Sequence, residues 1–167
     1  MIDPVSMARL KTVHPVLDAT VCLLNYDFEV ATGGDSLIVA QCLRRWSDQQ
    51  ILWERGRDTE GRVVDAAQVV TNSQPGYSWH EYGLAVDLVP KSLVRIQGWA
   101  PESPLWKMLT DLAEKRKLTC GACWIHQDLP HVQLTGRFGI SPDAWVRGLF
   151  LQSGIEAVWK ASGIVEA

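Results

Sequence analysis

Hydrophobic positions recur along this chain in two rhythms, a helical one near the ends and a strand-like alternation in the middle. After His14-Pro15, Leu17, Val21 and Leu24 fall at helical spacing, which predicts a helix that ends before Asn25. Apolar runs at 28–31 and 37–42, divided by Thr32-Gly33-Gly34-Asp35, predict a β-hairpin. Ser47 with Gln50 three residues later predicts a capping box opening a helix that carries Ile51, Leu52 and Trp53 and stops at Gly56. The polar stretch 57–77, broken by Gly61, Asn72, Pro75 and Gly76, reads as a long loop with one short strand near Val69-Val70. Long loops in small domains are often functional.

In 83–89, Leu84, Val86 and Leu88 alternate with Ala85, Asp87 and Val89, so a strand there turns Asp87 away from its apolar face. Ser103 and Pro104 predict a helix start, with Leu105, Met108, Leu109 and Leu112 as the buried stripe. A second short strand at 131–134 places His131 and Gln133 together on one face. Ser141-Pro142 predicts a further helix with Trp145, Leu149 and Phe150, broken at Gly154 before a last helical stretch containing Val158 and Trp159. These elements predict an α+β fold: a small, mainly antiparallel sheet bearing a site on one face, flanked by helices. A length of 167 residues favours one domain over 1–167, with 135–167 as a helical extension against it.

Composition narrows the classes of function. A net charge of −3 and a pI of about 5.8 give no basic face for a polyanion, so no nucleic-acid partner is expected. No run approaches the roughly 20 apolar residues of a membrane span, and the N-terminus lacks signal-peptide order. The expectation is a monomer made in the cytoplasm, without membrane insertion. Met7 offers a second start, which would make Met1 to Ser6 a leader or a cloning remnant. Cys22, Cys42, Cys120 and Cys123 are too few and scattered for a disulfide framework, and mostly reduced, buried thiols are expected.

The candidate chemistry lies in two segments, around 80–87 and 128–131. A catalytic zinc usually takes three protein ligands and keeps a fourth position for water, and His80, Asp87 and His131 fit that count. His80 and Asp87 stand seven residues apart across Gly83, where a turn can feed the strand, and His131 would arrive from a neighbouring antiparallel strand. Asp128, held extended before Leu129-Pro130, can reach a water on the metal and exchange protons with it. Singly, a histidine beside a tryptophan is a packing residue and a strand aspartate a solvated one.

Together, Ser-Trp-His-Glu-Tyr-Gly-Leu-Ala-Val-Asp at 78–87 and Asp-Leu-Pro-His-Val-Gln at 128–133 resemble the S-x-H-x-x-G-x-A-x-D and D-x-x-H signatures of the D-Ala-D-Ala carboxypeptidase and L-Ala-D-Glu endopeptidase family of zinc cell-wall enzymes. Arg44 with Gln49, the segment Leu52 through Arg57, and Val70-Thr71 through Ser78 extend the likeness over roughly 13–134. The resemblance implies a Hedgehog/DD-peptidase-like fold, one zinc ion per chain on His80, Asp87 and His131, Asp128 as catalytic acid/base and Arg44 facing the substrate carbonyl or carboxylate. Gln49, Ser78, Trp79 and Trp124 are then expected to line the substrate cleft, and the substrate to be a peptidoglycan stem peptide.

The family usually carries W-G-G-D-W or a close variant before the third ligand, where this chain reads Cys120-Gly121-Ala122-Cys123-Trp124. A redox pair or second zinc is the alternative to small buried replacements, but no matching pair or thioredoxin-like pattern accompanies it. His126 is left open between a transition-state role and a surface one, and Trp53, Trp106 and Trp145 are expected in the core. By analogy, the loop 56–64 and the Pro-Gly-Tyr-Ser-Trp-His spacing at 75–80 favour an L-alanyl-D-glutamate endopeptidase of the phage endolysin type, acting on the wall after release, over a D-alanyl-D-alanine carboxypeptidase, with a bacterial wall-remodelling enzyme as the alternative to a phage one. A catalytically silent zinc-binding module that recognises peptide is the rival from another class.

Overall fold

The computed structural model describes residues 2–165. In chain order the main elements are α1 (Pro4–Leu10), α2 (Pro15–Thr32), β1 (Leu37–Gln41), α3 (Trp46–Glu54), β2 (Ala85–Pro90), α4 (Pro104–Lys115), β3 (Thr119–Cys120), β4 (His131–Gln133) and α5 (Ala144–Ser162). The strands form one antiparallel sheet in the order β1-β2-β4-β3. Asp87 pairs with His131 and Ala85 with Gln133 in the β2–β4 register, so all four side chains point to the same face. The opposite face, with Val86, Leu88 and Val132, joins Leu17, Val21, Leu24 and Phe28 of α2 and Trp106 and Leu109 of α4 in the main core. A second cluster holds Trp79, Tyr82 and Leu84 against Val146 and Val158 of α5.

Several expectations are corrected. Residues 25–32 continue α2, so the predicted strand at 28–31 and its hairpin do not exist. Phe28 extends the stripe of Leu17, Val21 and Leu24 by one more turn, and that burial outweighs the strand-like composition. Asn25 is no stop signal, because its side-chain oxygen accepts the Leu37 amide at 2.8 Å and ties α2 to β1. Gly33, at φ 72°, caps the helix in the left-handed region, so the glycine pair ends a helix instead of turning a hairpin. α3 begins one residue earlier than its predicted cap, with Arg45 at the N-cap and no side-chain capping bond.

No strand forms at Val69-Val70, where a 3-10 turn at Ala66–Gln68 leads into loop. Asp143, not Ser141-Pro142, caps α5 by accepting the Val146 amide. The expected break at Gly154 is present, with φ 79° and ψ −176°. α1 was not expected. Asp3 caps it, and the Ser6 hydroxyl accepts the Val39 amide at 2.9 Å, which fastens α1 to the edge strand β1. Trp106 is buried as expected, whereas Trp145 is exposed and Trp53 is half-buried beneath the Arg57 guanidinium. All four cysteines are free, with Cys42 and Cys120 buried, Cys22 half-buried and Cys123 exposed. Among the described residues no helix is long and apolar enough to cross a membrane.

Candidate metal centre and cleft

His80 sits in a 3-10 turn, Trp79–Tyr82, that ends at Gly83 in the left-handed conformation at φ 62°. A side chain at Gly83 would meet Trp159, the Thr12 carbonyl and Val13 at 3.2–3.3 Å, so this sharp entry into β2 needs glycine twice over. The turn is pinned from below by Glu81, whose buried carboxylate accepts the Gly76 amide at 2.8 and 2.9 Å and the Ser78 amide at 3.0 Å. Burial pushes the Glu81 carboxyl up, while those amide bonds pull it back. Above, the Arg44 amide donates to the His80 carbonyl at 3.1 Å, which fastens the turn to the end of β1.

Three donor atoms meet on the polar face of the sheet. His80 Nε2 lies 3.1 Å from His131 Nδ1 and 3.2 Å from Asp87 Oδ1, and His131 Nδ1 lies 3.4 Å from Asp87 Oδ1. The far nitrogen of His80, Nδ1, faces the Cys42 carbonyl at 3.0 Å. A carbonyl can only accept, so Nδ1 carries the hydrogen and Nε2 presents a bare lone pair to the site. Asp87 Oδ1 is buried without a hydrogen-bond partner. Converging lone pairs repel unless a cation lies between them. Ligands about 2.0–2.2 Å from a tetrahedral zinc stand roughly 3.3–3.6 Å from one another, so both the donor chemistry and the spacing suit that ion.

The local field has the same sign preference. Burial alone would raise the Asp87 carboxyl, yet the neighbouring His80 and His131 hold it well below the usual carboxylate range. Burial likewise opposes a charge on His131, and contact with Asp87 overrides it and raises that imidazole.

The centre lies in a cleft of about 640 Å³, and a second hollow of about 790 Å³ shares Thr71, Trp124 and Asp128 with it and runs on past Ile125 and His126. Asp128 lies at the lip where the two meet. Asp128 is exposed at that lip, and the partial loss of water on its cleft side, with the Asp87 charge, raises its carboxyl above the ordinary range, while His131, His80 and Arg44 oppose it. Asp128 is placed by its backbone: its amide donates to the Gly121 carbonyl at 3.1 Å and its carbonyl accepts the His131 amide at 3.2 Å. Trp124 lines both hollows, 4.9 Å from the His131 ring between centroids.

Arg44 and Ser78 also face the cleft. Gln49 does not. It is fully buried, its Oε1 accepts Arg44 Nη1 at 2.7 Å, and its Nε2 donates to the Ser73 carbonyl at 2.7 Å, so it steers the guanidinium instead of meeting a ligand. Trp79 is 2% exposed, stacks on Phe138 and donates to the Gly139 and Ile140 carbonyls. It lines the cleft wall as expected, but with one face on Phe138 and its edge bonded it offers no free stacking face. His126 is exposed on the second hollow.

Burial pushes the Cys120 thiol up to about 12, and a hydrogen bond to Glu114 raises that of Cys123. Neither is the low-pKa thiolate that thiol redox chemistry uses. Cys120 is a small buried residue as expected, whereas Cys123 is exposed. The sequence reading missed Glu81, the Cys42 carbonyl and Gln133. Only Gln133 left a trace, through its place two residues after His131.

Comparison with known proteins places the same segment in context. The family model described as D-alanyl-D-alanine carboxypeptidase matches residues 71–134, which hold all three donors and Asp128. The chain is also 23% identical over 130 residues to the peptidoglycan L-alanyl-D-glutamate endopeptidase CwlK of Bacillus subtilis, a match covering 73% of each chain.

Proposed function

We propose, from the chain's membership of the D-alanyl-D-alanine carboxypeptidase family through its segment 71–134, that it is a zinc peptidase of peptidoglycan cutting the L-alanyl-D-glutamate bond of the stem peptide. The observation that carries the reading is the convergence of His80 Nε2, His131 Nδ1 and Asp87 Oδ1 in one buried corner of an open cleft. Zinc held there would supply a Lewis acid that polarises the scissile carbonyl and lowers the pKa of water to about 7. Asp128 takes the proton of the attacking water and returns it to the leaving nitrogen, a task suited to a carboxyl raised by its place in the cleft beside Asp87. Arg44, held by Gln49, faces the carbonyl oxygen as negative charge develops on it.

Two features favour an endopeptidase. The cleft continues beyond Asp128 into the second hollow, which leaves room for substrate on both sides of the cut bond. Arg44 is the only Lys or Arg lining either hollow among the described residues, so once it serves the carbonyl no cation is left for a terminal carboxylate. The relative CwlK, named as an endopeptidase for that bond, points the same way.

The test is digestion of purified peptidoglycan by wild type and Asp128→Ala, read by mass spectrometry with zinc content measured in parallel. Wild type is expected to expose new N-terminal D-Glu, and Asp128→Ala to bind zinc and cut nothing. Release of D-Ala in place of D-Glu termini would make the enzyme a carboxypeptidase. Zinc binding without any cleavage by wild type would leave a recognition module.

A further inference from the structure

Gln133 occupies the β4 position two residues after His131, on the same face, and is 2% exposed. Its two amide ends could be exchanged without changing its shape, so what surrounds them decides the orientation. One end lies 3.1 Å from the Ile140 carbonyl, which can only accept, so that end must be the NH2 group. Oε1 then faces His131 Nε2 at 3.0 Å and requires a hydrogen there. The proton of a neutral His131 therefore sits on Nε2, and Nδ1 is left bare toward His80 and Asp87.

The reversed amide would do the opposite. An NH2 group donating to Nε2 would move the imidazole proton to Nδ1, where it would bond Asp87 Oδ1 and fill the corner without any cation. Orientation of one buried amide thus separates a metal-binding corner from a self-satisfied hydrogen-bonded one.

What fixes that amide lies outside the family match, which ends at residue 134. Ile140 belongs to the segment leading into α5, and its carbonyl also accepts Trp79 Nε1 at 3.0 Å, so both of its lone pairs are used. Elsewhere along this segment, the Arg137 amide bonds the Ser162 carbonyl, and Trp159 Nε1 donates to the Tyr82 carbonyl at 2.7 Å in the turn that carries His80.

We propose that Gln133 is a positioning residue that selects the Nδ1-ligating tautomer of His131, and that the C-terminal segment, through the Ile140 carbonyl, is the outer layer of the metal centre. Outer partners of ligating histidines commonly set metal affinity by 10- to 100-fold. The inference rests on the zinc reading above for its consequence but not for its geometry.

The experiment uses the full chain as wild type, Gln133→Leu and Gln133→Glu. Zinc affinity is measured by chelator competition, and the histidine tautomers of the metal-free protein by nitrogen-15 NMR. Wild type is expected to show His131 protonated at Nε2 and His80 at Nδ1. Gln133→Leu should weaken zinc binding about 10- to 100-fold and mix the His131 tautomers. Gln133→Glu keeps an acceptor opposite Nε2 but loses the donor to the Ile140 carbonyl, and should bind zinc more tightly than Gln133→Leu though less tightly than wild type. A role in packing alone predicts the reverse order, with the apolar Leu tolerated and the charged Glu not.

The proposal is overturned by that reverse order, by wild-type zinc affinity in Gln133→Leu, or by an Nδ1 proton on His131 of the wild type. The last result needs no variant to fold. A wild type that binds no zinc yet shows the Nε2 proton would defeat the peptidase reading and leave the tautomer assignment standing.

Discussion

Gly121→Ala is the sharpest test of how the cleft is held together. Gly121 begins the 3-10 turn Gly121–Cys123, and its carbonyl anchors the Asp128 amide. A methyl group there would lie 2.5 Å from the Asp128 carbonyl oxygen, 2.9 Å from His131 Cβ and 3.1 Å from Asp128 Cβ. The nearest atom is backbone, so no side-chain rotation relieves the clash. Reaching even a tight contact of 3.0–3.4 Å requires about 0.5–0.9 Å of movement by the segment bearing the proposed acid/base and the third ligand. Misplacement by about 1 Å can cost on the order of 10²-fold in rate, so a fall in kcat/KM of roughly 10- to 100-fold is expected, about 1.4–2.7 kcal/mol of transition-state stabilisation.

The same overpacking should cost about 1–3 kcal/mol of stability, at about 2–4 °C in Tm per kcal/mol for a chain of this size. Gly148→Ala is the control: it lies within α5 with nothing within 4 Å of the added methyl, and should gain about 0.5–1 kcal/mol. Stem-peptide hydrolysis and thermal unfolding of both variants decide the matter. Gly121→Ala with kcat/KM within twofold of wild type would refute the idea that this contact sets the position of Asp128.

Two further outcomes are expected. Gln49→Leu removes the buried partner of Arg44 and of the Ser73 carbonyl, which should cost about 1–3 kcal/mol in denaturant unfolding and lower kcat while zinc content is unchanged; loss of zinc instead would mean that Gln49 supports the ligands. His14 caps α2 by accepting the Val16 amide, and its burial lowers its pKa. Between that lowered value and about 6.5 the unfolded chain binds more protons than the native one. The His14 contribution to stability is therefore complete above about pH 6.5 and declines as the pH falls below it. The stability difference between wild type and His14→Asn, which keeps a cap acceptor, should shrink from pH 7.5 to pH 5. A difference that stays level across that range would contradict the assignment.

The local patterns were legible where one strong rule acted alone. Ser103-Pro104 announced α4, alternation announced β2 and β4, and Gly154 announced the break in α5. His80, Asp87 and His131 were legible as a set through the resemblance of the two segments 78–87 and 128–133 to a pair of family signatures, and the structure brings their donor atoms within 4.8 Å of one another. Where local and distant demands competed, the reading failed. The run at 28–31 has strand-like composition, yet Phe28 completes a buried helical stripe, and only the presence of the sheet beneath it makes that stripe worth extending.

The outer layer of the site was beyond the reach of sequence for a different reason. The Cys42 and Ile140 carbonyls orient His80 and Gln133, and every residue has a carbonyl, so residue type carries no mark of the one that is used. Gln49 shows the same limit in a side chain. Its sequence position suggested a cleft residue, and only its burial between Arg44 and Ser73 reveals a support. Sequence by itself determined which donors exist and how closely neighbouring ones are spaced. The tertiary structure decided which lone pairs are free, because that depends on what each far nitrogen and amide meets across the fold.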